Sequence, residues 1–157
     1  MIEIRFARVS DAPELERLNT IFNGEGFDYE NCNTVEGIEG SLNNNNREIV
    51  CVAAEGDKLH GFCCGQIFSS MCFTTSIGEV TEFFVESEYR RHGIGRKLMT
   101  LLESVFENHK VGQIRVLTGS DNLQARAFYV SCGYTETDEF MLEKVRARGL
   151  ENNHELS

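Results

Sequence analysis

The chain has 157 residues, of which 41% are hydrophobic and one is proline. This size is typical of a single hydrophobic core, so we expect one domain over residues 1–145, followed by a polar tail over residues 146–157. The formal net charge of −10 at pH 7 argues against nonspecific nucleic-acid binding, which requires clustered Lys and Arg. We therefore expect no nucleic-acid partner.

The sequence also indicates where the protein works and which sites it lacks. It contains no apolar run of 18 residues and begins directly with a strand pattern, which favours a cytoplasmic protein with no membrane partner. None of its six cysteines forms a C-x-x-C pair, and its four histidines show no ligand spacing. We therefore predict free thiols, no disulfide framework and no metal site.

The first third of the chain contains one predicted strand and two predicted helices. Residues 2–8 have a strand pattern, and residues 11–14 predict a capping box with proline in the first turn of a helix. The apolar face of that helix is formed by Leu15, Leu18, Ile21 and Phe22. A shorter helix is predicted to begin at Thr34.

The rest of the chain alternates between predicted strands and helices. Residues 47–55 and 59–70 predict a β-hairpin, whose turn runs from Glu55 to Lys58. Five further elements are predicted: a strand over 78–85, a helix over 93–108, a strand over 113–118, a helix over 122–131 and a final strand from Phe140 to about 145.

The most informative segment is residues 82–98, where an apolar strand gives way to a polar turn and then to a helix. Gly93 and Gly95 stand at that junction, where glycine lets backbone N–H groups approach an anion at the positive end of the helix dipole. Positive charge around the turn comes from Arg90, Arg91, Arg96 and Lys97. The spacing matches neither G-x-G-x-x-G nor a Walker loop, so we predict a diphosphate cradle for another class of nucleotide ligand.

Two segments together resemble a known family. The run Arg90-x-x-Gly93-x-Gly95 resembles the acetyl-CoA pyrophosphate motif of the GNAT family of N-acetyltransferases. A later helix of that family is similar to the segment Asn122-x-x-Ala125-x-x-Phe128-Tyr129-x-x-x-Gly133-Tyr134. The resemblance covers roughly residues 1–145. It implies an α/β GNAT fold, in which a mixed, mostly antiparallel central sheet of about six or seven strands is flanked by about four helices.

The resemblance also implies acetyl-CoA as the cosubstrate. In the family, the main chain at the end of the fourth strand pairs with the pantetheine amides, and the glycine turn holds the diphosphate. The later helix supplies an Asn that touches the cofactor arm and a Tyr close to the thioester sulfur. The cofactor-binding residues implied are Phe84, Val85, Arg90, Arg91, His92, Gly93, Ile94, Gly95, Arg96, Asn122 and Tyr129.

Acetyl transfer to an amine requires a base, because an alkylammonium group with a pKa of about 10.4 has no lone pair at pH 7. Glu79 and Glu82 lie on opposite faces of an ideal strand, so only one should face the acceptor unless a bulge changes the count. From the family's positions we favour Glu82 as the base and keep Glu79 as the second candidate. Tyr129 is the candidate acid that protonates the departing thiolate, and Asn122 also suits the N-cap of its helix.

The charge distribution bears on the acceptor. Residues 11–46 contain eight acidic residues and one basic residue, Arg17, and the family forms its acceptor site with these first helices. This favours a small polycationic amine such as an aminoglycoside or a polyamine, although acidic helices can also be merely solvated. The candidate acceptor-binding residues are Glu25, Asp28, Tyr29 and Glu82.

Two other functions stay open at this stage: acetylation of a protein Lys or amino terminus, and a noncatalytic acetyl-CoA-binding module. The candidate catalytic residues argue against the second. An enzyme of antibiotic resistance and a housekeeping amine acetylase would share all of these motifs. By family analogy, a homodimer formed through the segment from Cys132 to Leu142 is a further expectation.

Overall fold

The computed structural model describes residues 1–24, 33–44 and 48–144, and the chain divides into two compact units, Met1–Asp121 and Asn122–Ser157. The helices and strands are β1 (Glu3–Phe6), α1 (Ala12–Asn23), α2 (Val35–Asn43), β2 (Ile49–Glu55), β3 (Lys58–Phe68), β4 (Ile77–Val85), α3 (Ile94–Asn108), β5 (Gln113–Val116) and α4 (Leu123–Ser131). In this described part of the chain, no helix is long and apolar enough to cross a membrane.

The predicted hairpin is confirmed. Strands β2 and β3 pair antiparallel, from Glu55 opposite Lys58 onward, and Gly56 in the turn has a φ of +61°. Tight hairpin turns favour residues that adopt positive φ, which glycine does without steric cost. The predicted start of the second helix is also confirmed, because the side chain of Thr34 accepts a hydrogen bond from the N–H of Gly37.

The sheet has five strands in the order β1-β2-β3-β4-β5. The first four are antiparallel to one another, and β5 is parallel to β4. The predicted count of six or seven strands is therefore wrong for the described residues. The discrepancy lies at the predicted last strand, where residues 140–144 belong to no ladder. Phe140 and Leu142 there are 91% and 94% exposed, and without a paired neighbour an apolar run does not form a strand.

One face of the sheet packs against α1 and α2. Its buried cluster consists of Leu15, Leu18, Val52, Ala54, Leu59, Phe62, Cys64 and Phe84. Ile38 and Leu42 of α2 pack against this cluster from its margin. The predicted apolar face of α1 is only partly buried, since Ile21 and Phe22 are 49% and 41% exposed. We call this side of the sheet the α1/α2 face.

The opposite face packs against α3. The buried side chains of that helix are Ile94, Leu98, Met99, Leu102 and Phe106. Two glycines let the helix come close: a Cβ at Gly65 would lie 2.8 Å from Leu102 Cδ1, and one at Gly78 would lie 3.0 Å from Phe106. Larger residues at either position would push α3 off the sheet.

The cysteines of the described residues are free thiols, as predicted. Cys51, Cys63 and Cys64 are buried in the strands. Burial raises the pKa of Cys51 to about 12, so this thiol stays protonated and unreactive at neutral pH.

The predicted capping box at Asp11 is wrong. The Asp11 carboxylate accepts no capping hydrogen bond from a backbone N–H of α1. Instead, its carboxylate accepts two hydrogen bonds from the Arg5 guanidinium, at 2.7 and 2.9 Å, and one from the N–H of Arg8 at 2.7 Å. A bidentate guanidinium is a stronger partner than a helix N–H, and Asp11 therefore ties α1 to the end of β1.

Replacing Asp11 with Asn should destabilise the fold. Burial would raise the pKa of Asp11, but the hydrogen bonds from Arg5 and Arg8 outweigh it and lower the pKa below its usual value. The ionised Asp11 carboxylate therefore stabilises the fold at pH values above the ordinary aspartate pKa. This stabilisation is lost as the pH falls through the lowered pKa of Asp11 in the folded protein. Because the change removes the charge that pairs with the nearly buried Arg5 guanidinium, we expect a loss of about 3 kcal/mol in urea unfolding at pH 7, shrinking on acidification.

Glu3→Gln is the matched control. Its carboxylate lies 3.8 Å from Arg5 Nε and is 66% exposed, so its removal should cost less than about 1 kcal/mol. Equal losses for the two variants would contradict a structural role of the Asp11–Arg5 pair.

Candidate active site

The predicted cradle is formed by the turn between β4 and α3. Gly93 is the N-cap of α3 with a φ of +76°, and no side-chain hydrogen bond caps it. Arg91 also has a positive φ, of +62°. The first N–H groups of a helix have no intrahelical partner, so this end of α3 is suited to an anion. Arg91, His92 and Arg96 are exposed around it, whereas the side chain of Ile94 is buried in the core.

Arg90 is tied to the end of β4. Its Nε donates a hydrogen bond of 2.7 Å to the carbonyl oxygen of Val85, and its guanidinium carbon lies 5.9 Å from the centre of the Phe84 ring. The remaining donors of a guanidinium can still face an anion. Arg90 therefore joins the last two residues of β4 to the cradle.

A network of charged groups holds the turn that leads into the cradle. Glu86 accepts hydrogen bonds from Arg17 Nη1 at 2.7 Å and from His60 Nδ1 at 2.8 Å. The His60 ring stacks on Tyr89 with 3.8 Å between ring centres. Burial would raise the pKa of Glu86, but Arg17 and His60 outweigh it and lower it. Since Arg17 also binds the carbonyl oxygen of Leu59 at 2.7 Å, α1, β3 and the turn are held together.

A groove runs along α3 beside the cradle. Its volume is about 620 Å³, and its lining residues are Ile4, Gly93, Arg96, Lys97, Thr100, Leu101 and Ser104. Two cationic side chains thus face the same open surface as the uncapped start of the helix.

Strand β4 changes its pairing halfway along. Its pairing with β5 ends at Val80 opposite Val116, whereas its pairing with β3 continues to Val85 opposite Gly61. The two parallel strands therefore stop pairing before β4 ends. An extended ligand could add to the later part of β4 as a strand would.

A β-bulge lies at the same point. Cys64 of β3 is opposite Glu82, and the next residue, Gly65, is opposite Val80. Thr81 is therefore an extra residue in β4.

The bulge puts two carboxylates on one face. Glu82 is opposite Cys64, a member of the α1/α2 cluster. Val80 is opposite Gly65, which faces α3, so Glu79 points the other way, like Glu82. The ideal-strand prediction that Glu79 and Glu82 lie on opposite faces is wrong, and the extra residue is the reason.

The two carboxylates differ in their partners. Glu79 accepts a hydrogen bond of 2.5 Å from Arg115 Nε, and the Arg115 guanidinium lies over the Phe68 ring at 4.8 Å. The Arg115 guanidinium thus occupies the Glu79 carboxylate. Glu82 is exposed, and no described ion pair involves it, so of the two candidates its carboxylate is the more open to an acceptor.

Glu82 belongs to a group that the sequence did not predict. One oxygen of Glu48, one of Glu82 and the Cys64 sulfur lie within 4.8 Å of one another. Burial, the charge of Glu82 and a hydrogen bond with it raise the pKa of Glu48, while a hydrogen bond of 3.3 Å from the Thr81 hydroxyl opposes them. The prediction that the chain has no metal site stays a prediction.

An aromatic cluster lies on the same face. The Phe22 ring of α1 lies 5.9 Å from that of Phe62 and 5.7 Å from that of Phe84, between ring centres. The contact of Phe22 with Phe62 is edge-to-face, a geometry that favours a fixed arrangement of the rings. Because Phe22 is partly exposed, the cluster gives this face an apolar surface that a ligand can contact.

The second unit carries the two remaining predicted residues. Asn122 is the N-cap of α4, and its Oδ1 accepts a hydrogen bond of 3.1 Å from the N–H of Ala125, as predicted. The Tyr129 side chain is buried, with edge-on contacts to the rings of Phe128 at 5.4 Å and Tyr134 at 5.9 Å. Gly133, with a φ of +98°, turns the chain back after α4, which brings Tyr134 to Tyr129. These contacts fix the Tyr129 ring.

Three predicted acceptor-binding residues, Glu25, Asp28 and Tyr29, lie outside the described residues. Of the eight acidic residues counted between 11 and 46, Asp11 and Glu14 are engaged in ion pairs with Arg5 and Arg17. The acidic surface of this region is therefore smaller than the sequence suggests.

The residues missed by the sequence analysis share one property: their contacts join distant parts of the chain. Glu86 and Arg17 are 69 residues apart, and Glu48 meets Glu82 only through the sheet. Neither contact produces a recognisable pattern among residues that are close together in the sequence. The register of β2, β3 and β4 together with the bulge would have been needed to find Glu48.

Comparison with known proteins identifies similar sequences. The sequence model of the acetyltransferase (GNAT) family matches residues 15–134. An uncharacterized N-acetyltransferase of Archaeoglobus fulgidus is 33% identical over 135 residues, which cover 83% of this chain and 90% of the relative. An uncharacterized N-acetyltransferase of Chlorobaculum tepidum is 27% identical over 143 residues, which cover 90% of this chain and 81% of the relative.

Solved structures share the fold. A possible acetyltransferase from Clostridium difficile has a TM-score of 0.79 and 22% identity, covering 94% of this chain and 99% of that one. An aminoglycoside acetyltransferase from an uncultured soil sample, in complex with sisomicin, has a TM-score of 0.77 and 19% identity, covering 94% and 97%. A third structure, AAC(6')-Iy in complex with a bisubstrate analogue of CoA, has a TM-score of 0.77 and 14% identity, covering 94% and 99%. At these identities the likeness concerns the fold alone.

Proposed function

The chain belongs to the GNAT family of acetyltransferases, and on that premise we propose that it acetylates a primary amine of a small polycationic acceptor, such as an aminoglycoside or a polyamine. Membership makes the chain an N-acetyltransferase whose cosubstrate is acetyl-CoA. The observation that carries the proposal is the pair of carboxylates, Glu48 and Glu82, on the α1/α2 face beside the end of β4.

The cradle fits the diphosphate of acetyl-CoA. Gly93 leaves the start of α3 uncapped, and a Cβ at this position would meet no atom within 4 Å, so the turn is open to a ligand. The residues that would hold the diphosphate are Arg91, His92, Gly93, Ile94 through its N–H, Gly95 and Arg96. Fixed N–H groups and cationic side chains suit a diphosphate.

The end of β4 fits the pantetheine arm. Phe84 and Val85 lie beyond the point where β5 stops pairing with β4, so their main chain can pair with amides. The carbonyl oxygen of Val85 already accepts from Arg90, and a second lone pair is available on any carbonyl. Asn122 and Tyr129 are proposed for the cofactor arm and the sulfur on the family resemblance.

The negative charge of the α1/α2 face favours a cationic acceptor. Glu48, Glu79 and Glu82 share one face of the sheet, and a carboxylate-lined face attracts a cation that carries several ammonium groups. The exposed edge of Phe22 offers an apolar surface for the body of such a molecule. One of the similar folds is an aminoglycoside acetyltransferase in complex with sisomicin, and another, AAC(6')-Iy, was solved with a bisubstrate analogue that joins CoA to acetylneamine, which supports this acceptor class.

In the proposed mechanism, two side chains of the protein accept and donate protons. Acetyl-CoA supplies an acetyl group activated as a thioester. Glu82 accepts a proton from the acceptor's ammonium group, and the freed nitrogen bonds to the acetyl carbon as the carbon–sulfur bond breaks. Tyr129 gives its proton to the leaving sulfur and is reprotonated as the nitrogen loses its second proton. No covalent enzyme intermediate is formed.

The test of the proposal is release of free thiol from acetyl-CoA over a panel of aminoglycosides, polyamines, amino acids and Lys-containing peptides. We expect acceleration by one polycationic class. Acceleration by peptides alone would replace the proposal with a protein acetyltransferase. Tight binding of acetyl-CoA without acceleration by any acceptor would favour a noncatalytic module.

Gly93→Asp should abolish acetyl-CoA binding. The new carboxylate would stand against the diphosphate, and calorimetry measures the loss. Gly93→Asn is the matched control, because it has the same shape and the same strain at positive φ without the charge. We expect the Asn variant to bind at least about tenfold more tightly than the Asp variant. Equal acetyl-CoA affinities of the two variants would contradict the assignment of the cradle to the diphosphate.

Tyr129→Phe should slow transfer about 100-fold or more without changing acetyl-CoA affinity, because it removes the general acid and keeps the ring. The measurement is the pH profile of kcat with the best acceptor of the panel. The control is Tyr134→Phe, which removes a hydroxyl from the ring packed against Tyr129 and should leave kcat within about twofold. A Tyr129→Phe enzyme that works within about twofold across pH would show that the hydroxyl is not the acid.

A further inference from the structure

Three hydrogen-bond acceptors converge on one point of the α1/α2 face. They are one carboxylate oxygen each of Glu48 and Glu82 and the sulfur of Cys64, all within 4.8 Å of one another. A primary ammonium group has three N–H donors, and three acceptor atoms that lie this close together can bind one such group. We call this group the Glu48–Cys64–Glu82 tripod.

The Cys64 thiol makes the tripod more than a cluster of acidic residues. Its side chain is more than nine-tenths buried, and its sulfur lies within 4.8 Å of one oxygen of each carboxylate. No described group donates to that sulfur or accepts a hydrogen bond from it. Burial, followed by the charges of Glu48 and Glu82, raises the pKa of Cys64 well above its usual value, so it adds an acceptor atom to the tripod without adding a third negative charge.

We propose that the Glu48–Cys64–Glu82 tripod binds the reacting ammonium group of the acceptor and that Glu48 is a second catalytic carboxylate, which shares with Glu82 the proton taken from the amine. This inference rests on the proposed function, and it names the atoms that receive the amine. The proton passes from nitrogen to the carboxylate pair, and the pair returns it to water after the carbon–nitrogen bond has formed.

The surroundings of Glu48 make the pair a better base than a single carboxylate. Burial raises the pKa of Glu48, and the charge of Glu82 raises it further. The described titratable groups within reach of it are Glu82 from β4 and Cys64 from β3, and Glu79 of β4 lies on the same face. The apolar side chains that α1 and α2 pack on this face are Leu15, Leu18, Ile38 and Leu42. Two close carboxylates hold one proton between them more tightly than either would alone.

Because the pKa of Glu48 is raised, the effect of replacing Glu48 on catalysis can be separated from its effect on stability. A carboxyl whose pKa is raised on folding destabilises the folded state at pH values above both its folded and unfolded values. Glu48→Gln removes that unfavourable ionisation and keeps the shape of the side chain. The variant should therefore melt at the wild-type temperature or higher, so a loss of activity cannot come from unfolding.

The kinetic test compares Glu48→Gln with Glu107→Gln, an exposed carboxylate on α3, using sisomicin and spermidine as acceptors. We expect Glu48→Gln to lower kcat/KM for the acceptor about 100-fold, to leave the KM for acetyl-CoA unchanged and to displace the acidic limb of the pH profile. The control should match the wild type. An active wild type with a Glu48→Gln variant as fast as the control overturns the proposal.

A second measurement does not depend on turnover. NMR titration of carboxyl-labelled glutamate, with a chelator present, should give Glu48 a raised pKa that falls toward its usual value in Glu82→Gln and also falls when spermidine is added. A Glu48 pKa that responds to neither change overturns the tripod. If the wild type acetylates neither acceptor, the proposed function fails, and this titration decides the tripod separately.

Discussion

The extra residue at Thr81 is the constraint on which the candidate site depends. It lies where β5 stops pairing with β4 while β3 continues to pair. A bulge bends its strand and increases the local twist; the extra residue accounts for the shared face of Glu79 and Glu82 and coincides with the open edge at the end of β4. The proposed places for the cosubstrate and for the amine are thereby on the same strand.

The rest of the fold holds this strand in place. Gly65 and Gly78 let α3 pack closely beneath it, and the network of Arg17, His60 and Glu86 fixes the turn that follows it. The ionisable pair on the α1/α2 face opposes stability, because Glu48 is brought against another carboxylate in a partly buried position. Carboxylates whose pKa is shifted by burial and by a charged neighbour are common at functional sites, and here the apolar core around Glu48 offsets the cost.

Local patterns in the sequence predicted most of the elements but not the way they meet. The hairpin around Gly56 and the helix that begins after Gly93 follow from turn chemistry and glycine placement, which act over a few residues. The local pattern predicts Asp11 as a helix cap, which is wrong because its carboxylate instead pairs with Arg5, a residue of another element. The final strand was predicted from apolar residues around Phe140, but strand formation requires a neighbour, which no local pattern reveals. Glu48 escaped notice for the same reason, since it reaches Glu82 only across three strands in register.

Deleting Thr81 tests the central claim most directly, with Thr81→Ala as a control that keeps the extra residue. The deletion keeps Glu82 opposite Cys64 and Val80 opposite Gly65, and without the bulge we expect β5 to pair further along β4. The account predicts that calorimetry will show acetyl-CoA binding weakened at least about tenfold by the deletion and changed by less than about threefold in Thr81→Ala. A folded deletion variant that binds acetyl-CoA as tightly as the wild type would contradict the account.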